Sequence, residues 1–172
     1  MTSWTSTTWP RGNCSVSSRA PRRATRNPKT PRTPQTPMSE PYVTFPDVEQ
    51  LVVDLLKDRS ELAGVVVDVA PPAGFDGSQR AVLVSRMGGA WAEDPRLDNP
   101  LVDLEVYGPS KAAAHTVSLV ARSLVLQLRG VRYGGATVVD VVEEDGPRWL
   151  PDYRHASANR YVSTTRLVVR PA

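Results

Sequence analysis

The segment LVDLEVYG, residues 101–108, alternates strictly. Val102, Leu104 and Val106 point to one side of an extended chain, and Asp103, Glu105 and Tyr107 to the other. Such a strand has one core face and one wet face. The segment after it, PSKAAAHTVSLVARSLVLQLRG, has helical periodicity: Ala113, Val117, Val120, Leu124 and Leu128 form one stripe, with Lys111, His115, Ser118 and Arg122 opposite and Gly130 as the stop. A half-buried strand feeding an amphipathic helix constrains the fold to a sheet covered by helices.

The rest of the pattern agrees. TFPDVEQLVVDLLKDRSEL predicts a first helix carrying Val48, Leu51, Val52, Leu55 and Leu56 on one face, with Thr44 as its cap and Pro46 in its first turn. VVVDVA and RAVLVSRMGG read as strands, separated by the turn-rich PPAGFDGSQ. GGAWAEDPRLDNP is a long polar connection containing Trp91, the kind of loop that carries function. ATVVDVVEEDGP and NRYVSTTRLVVRP close the chain as strands, the first ending at a Gly-Pro turn; in the second, Tyr161, Ser163, Thr165, Leu167 and Val169 share a face. The order α-β-β-β-α-β-β predicts an α+β domain over 38–172, with a mixed or antiparallel sheet of about five strands packed by two helices.

Residues 1–37 are different in kind. They hold seven cations (Arg11, Arg19, Arg22, Arg23, Arg26, Lys29, Arg32) and no carboxylate, whereas the remainder carries 14 basic and 18 acidic residues, so the net charge of +3 comes from this segment. Rich in Ser, Thr and Pro and without periodicity, it is expected to be disordered. It reads as a basic arm for nucleic acid, a transit peptide, an inert tail, or an extension upstream of a start at Met38. Cys14 is the single cysteine, which excludes disulfides within the chain and any cysteine-based metal site. No apolar run is long enough to cross a bilayer and no secretory h-region is present, so a soluble protein that is not exported, with no membrane partner, is expected.

Catalytic signals are sparse. His115 falls on the polar stripe of the long helix, and His155 lies beside Arg154 with Asp152 as its nearest carboxylate. Asp103 and Glu105 share a strand face, as metal-binding carboxylates of a small hydrolase or nuclease would, but such a site wants a nearby lysine or further ligands and the residue two beyond Glu105 is Tyr107, so a solvated face paired to arginines such as Arg166 is the favoured reading. Glu143, Glu144 and Asp145 read as a solvated turn. No nucleophile elbow or phosphate-cradling glycine loop is present, so no catalytic residue, cofactor or metal is assigned.

The densest group of contact-type residues is GPRWLPDYR. Arg148, Trp149, Leu150, Pro151, Tyr153 and Arg154, with Trp91 from the polar connection, form the candidate interface, since Trp, Tyr and Arg dominate interface hot spots. The competing reading is that Trp149 and Leu150 only cap the end of the sheet.

Taken in order, FPDVEQLVVDLL, VDLEVYG running into PSKAAAH, GPRWLPDY and NRYVSTTRLVVRP resemble the tail terminator (tail completion) proteins of long-tailed actinobacterial phages and prophages, over roughly residues 42–171. The resemblance implies a non-enzymatic virion protein without cofactors, assembled in the bacterial cytoplasm. Such proteins form a ring, commonly hexameric, on the head-proximal end of the tail tube. The implied partners are further copies of the chain, the tail tube protein and the head-tail connector, with DNA only in transit through the ring. A neighbouring head-closure, neck or minor tail protein is the alternative. A mildly acidic body suits a ring through which DNA passes.

Overall fold

Asp47, not Thr44, starts the first helix. In the computed structural model, which describes residues 44–89, 94 and 96–171, the Asp47 carboxylate accepts the N–H groups of Glu49 at 2.9 Å and Gln50 at 3.2 Å. Helix α1 then runs Val48–Lys57. Pro46 lies outside it because the proline ring pushes Phe45 out of the helical region, leaving the next carboxylate to cap and to face the positive helix end. Trp91 and the basic segment 1–37 lie outside the described residues.

After a short 3-10 turn, Ser60–Leu62, come β1 (Val66–Asp68), β2 (Ala81–Gly89), β3 (Pro100–Gly108), α2 (Lys111–Leu126), β4 (Arg132–Tyr133), β5 (Ala136–Trp149) and β6 (Asn159–Pro171). They form one mixed sheet in the order β1-β2-β3-β6-β5-β4, with β1 parallel to β2 and the other pairs antiparallel. Among the described residues the sheet has six strands, not five. The extra one, β4, is two residues long and carries no alternation to read; it exists because Gly134 and Gly135, both at positive φ, make a tight hairpin turn into β5.

The Gly-Pro turn expected at 146–147 is not a turn. Strand β5 continues to Trp149, with register shifts after Val138, Glu143 and Asp145. β5 lies beside β6 on one side and beyond Thr137 has no strand on the other among the described residues, so Pro147 costs no ladder bond there. The bulges absorb its geometry.

The helix-side face of the sheet holds the core. Val82, Val84, Val102, Leu104, Val106, Leu167 and Val169 meet Leu51, Val52 and Leu56 of α1 and Val117, Ala121, Leu124 and Val125 of α2. The buried stripe of α2 differs from the expected one, since it runs through Ala114 and includes Ser118. Burial of that hydroxyl is tolerated because it donates to the carbonyl of His115 at 2.7 Å. The outer face is not uniformly wet either: Ala81, Leu83, Tyr107 and Ala158 make a second buried cluster with Phe75 against it.

Candidate functional site

That second cluster is roofed by two loops, 71–79 and 150–158. They approach so closely that a Cβ on Gly77, at φ +84°, would lie 2.4 Å from the Cβ of Ala158. Only glycine fits there. The second loop is pinned from below by Arg160 of β6: its guanidinium donates to the carbonyls of Leu150 at 3.3 Å and Pro151 at 3.1 Å, and to Glu105 at 3.1 Å. The backbone adds a bond from the N–H of Leu150 to the carbonyl of Arg160 at 3.0 Å.

Between the loops and the sheet lies an open cleft of about 390 Å³ whose floor includes Tyr107, Glu105 and Asp152. The Tyr107 hydroxyl is 2.8 Å from Glu105 and 3.0 Å from Asp152. Its single proton serves one carboxylate at a time, and the other partners are fixed: Glu105 has Arg160, and Asp152 accepts the N–H of Arg154 at 2.8 Å. The Phe75 ring stands edge-on to Tyr107, with centroids 4.9 Å apart, and to His155 at 5.6 Å.

Burial and the two facing carboxylates push the Tyr107 phenol well above its ordinary range. Burial alone would raise Asp152, but the Arg154 N–H, the Tyr107 hydroxyl and the charges of Arg160 and His155 outweigh it and hold the carboxyl below the usual aspartate value. The chemistry of this constellation is therefore to hold. A phenol locked in its protonated form between bonded carboxylates fastens a loop; it neither gives nor takes protons near neutral pH.

The residues expected to form one interface are divided by the strand on which two of them sit. Arg148 and Trp149 are neighbours on β5 and point to opposite faces, lying across from Val162 and Tyr161 respectively. Arg148 is on the outer side, paired with Asp145 at 2.7 Å. Trp149 is on the helix side, where the Lys111 ammonium lies 4.7 Å above its ring. Its ring is 45% exposed. Leu150 is half-buried, Pro151 and Arg154 are exposed, and Tyr153 at the cleft mouth is 97% exposed on a loop that is otherwise fastened down.

The acidic candidates are similarly accounted for. Asp103 accepts the Thr164 hydroxyl at 2.6 Å, while Arg166 pairs with Glu144 at 2.9 Å rather than with β3. Glu143 is not in a solvated turn; it forms an ion pair with Arg122 of α2, whose hydrogen bonds and charge hold its carboxyl below the ordinary range. Among the described residues no three His, Cys, Asp or Glu side chains are grouped to hold a metal ion. His115 is exposed on α2 with its ring 5.1 Å from that of Tyr161. Sequence reasoning did not single out Phe75, Gly77 or Lys111, because only the tertiary fold brings them to their partners.

No family model matches this chain, and no curated protein matches it. Among solved structures, a chain from the structure titled "Virion of native gene transfer agent (GTA) particle" is similar in fold. The match has a TM-score of 0.52 at 14% sequence identity and covers 72% of this chain and 94% of that one. At that identity the likeness is one of fold.

Proposed function

We propose that this protein is a structural, non-catalytic component of a phage-like particle. Within that class we read it as a tail terminator, a ring on the head-proximal end of the tail tube that stops tube growth and presents the surface for head joining. The observation that carries the reading is the shared fold with a chain of a gene transfer agent virion, which extends over 94% of that chain. The order of motifs along residues 42–171 supports the finer assignment. The state of the acidic residues supports a role without chemistry: Asp103 and Glu105 are each engaged by a partner on the same sheet. The partners in this reading are further copies of the chain, the tail tube protein and the head-tail connector, and no cofactor takes part.

The test is assembly. The full chain is added to its cognate tail tube protein during polymerisation, and tube lengths and ends are scored by electron microscopy. Capped tubes of restricted length are expected, with density for this protein at one end. Tubes of unrestricted length with bare ends would reject the terminator role. Association instead with the portal-side connector alone would move the protein to the neck of the particle.

A further inference from the structure

Asp152 is 7% exposed, yet the groups that bond it are neutral: the backbone N–H of Arg154 and the hydroxyl of Tyr107. Among the described residues no ion pair reaches it. A carboxylate taken out of water is best stabilised by an opposite charge, and the nearest arginine is already engaged, because Arg160 donates to Glu105 and to the carbonyls of Leu150 and Pro151. Arg154 does not fill the gap. Its side chain is exposed at the cleft mouth, and the charges that help to keep Asp152 ionised are those of Arg160 and His155.

Acceptors therefore exceed donors on the floor of the cleft. The Tyr107 hydroxyl has one proton for two carboxylates, and the second oxygen of Glu105, Oε1, accepts no hydrogen bond from a described residue although that side chain is one-third exposed. The walls around these oxygens are aromatic and aliphatic. Phe75 stands nearly perpendicular to both Tyr107 and His155, at 89° and 87°, while Val69 and Pro71 continue the wall and Tyr153 stands at the mouth. The charged groups lining the cleft are Glu105, Asp152, Arg154 and Arg160, and Asp76, close enough to His155 to respond to its charge, adds a further carboxylate.

We infer that the cleft binds a primary ammonium on a short apolar stem, as carried by a lysine side chain or a small free amine, with the nitrogen at Glu105 and Asp152 and the stem against Phe75 and Tyr153. A guanidinium fits less well. Its planar fork needs both oxygens of one carboxylate, and here each carboxylate has an oxygen engaged, by Arg160 on Glu105 and by the Arg154 N–H on Asp152. An anion would meet two carboxylates on the floor. The ring faces add cation–π attraction, and about 390 Å³ is near the small end of the roughly 300–1,000 Å³ range of ligand pockets, room for one such group.

The experiment is a titration of the isotope-labelled full chain, followed by amide chemical shifts at constant ionic strength. The probes are butylammonium, a blocked glycine-lysine-glycine tripeptide, and the same tripeptide with norleucine for lysine. Saturable shifts confined to loops 71–79 and 150–158 and the adjoining end of β3 are expected with the two ammonium probes, at least about tenfold weaker with norleucine and in Asp152→Asn. Circular dichroism checks the fold of that variant, and Glu105→Gln replaces it if the fold is lost. Arg154→Ala, which keeps the backbone N–H and removes a competing cation, should bind at least as tightly as the wild type. Binding of the lysine peptide at least about tenfold tighter than butylammonium assigns the site to a protein side chain, and equal binding assigns it to a free amine. The inference is overturned by an absence of saturable shifts up to about 10 mM, by equal response to norleucine, by an unchanged affinity in the carboxylate variant, or by weakened binding in Arg154→Ala. No tube protein enters the titration, so a cleft that binds nothing leaves the terminator reading standing, and failure to cap tubes leaves the cleft.

Discussion

The two faces of β3 are made from alternate residues of one eight-residue run, yet they are stabilised by different physics. On the helix side, Val102, Leu104 and Val106 are each about 1% exposed and lie in the core cluster with apolar side chains of the two helices and the adjoining strands. On the outer side, Asp103, Glu105 and Tyr107 are held by directed bonds to Thr164, Arg160 and Asp152. The first face gains from area removed from water and tolerates changes of shape that keep volume. The second depends on every partner being present, because a buried polar group that loses its bond keeps its desolvation cost. The lesson is that alternation of apolar and polar residues separates the faces without saying whether the polar one is wet.

Truncation should expose the difference. Leu104→Ala removes a fully buried side chain from the centre of the core and should cost about 2–5 kcal/mol, read as a drop in the urea midpoint with the slope unchanged. A loss below about 1 kcal/mol would mean that the core is looser than its burial implies. Tyr107→Phe keeps the ring against Phe75 and removes only the hydroxyl that Glu105 and Asp152 face. A smaller loss of about 1–3 kcal/mol is expected, with faster proteolysis of the 150–158 loop as the local readout.

The outer face should also be the pH-sensitive one. Because the Asp152 carboxyl is held below the ordinary aspartate value of 3.8, its contribution to stability is present above that value and is lost as pH falls through the depressed folded value. Denaturation midpoints measured from about pH 6 down to about pH 2 should therefore fall less steeply for Asp152→Asn than for the wild type. Identical acid limbs would show that its bonds to Arg154 and Tyr107 are not formed in solution. The smallest effect on folding is expected for Trp149→Ala, under about 1 kcal/mol, since the ring is half-exposed and one of its contacts is an exposed ammonium. Its expected consequence is on association instead. A loss of 3 kcal/mol or so, typical of a buried aromatic, would return it to the role of a sheet cap.

The elements with long periodic patterns were legible in the sequence. β3, β6 and both helices repeat their apolar residues often enough for the period to show, and the inward set Tyr161, Ser163, Thr165, Leu167 and Val169 of β6 is the set that faces the helices. Where pattern was short or carried polar residues, reading failed. β4 has only two residues. Ser118 looked like surface because polarity is visible in sequence while its bond to the carbonyl of His115 is not. The Gly-Pro pair looked like a turn, because a sequence does not state that its strand borders an open edge where a missing N–H costs nothing.

The candidate surface divides along the same line. The sequence by itself determined that aromatic and arginine side chains crowd residues 148–154, since composition is local. Only the tertiary structure decided how they are distributed over the faces of the sheet. Extending β5 to Trp149 turned Arg148 and Trp149 to opposite faces, and Arg160, Glu105 and Phe75, distant in the chain, fastened the loop that leaves Tyr153 outside. Which face a side chain meets depends on strand parity and on partners far along the chain, and both are properties of the closed sheet rather than of any window of residues.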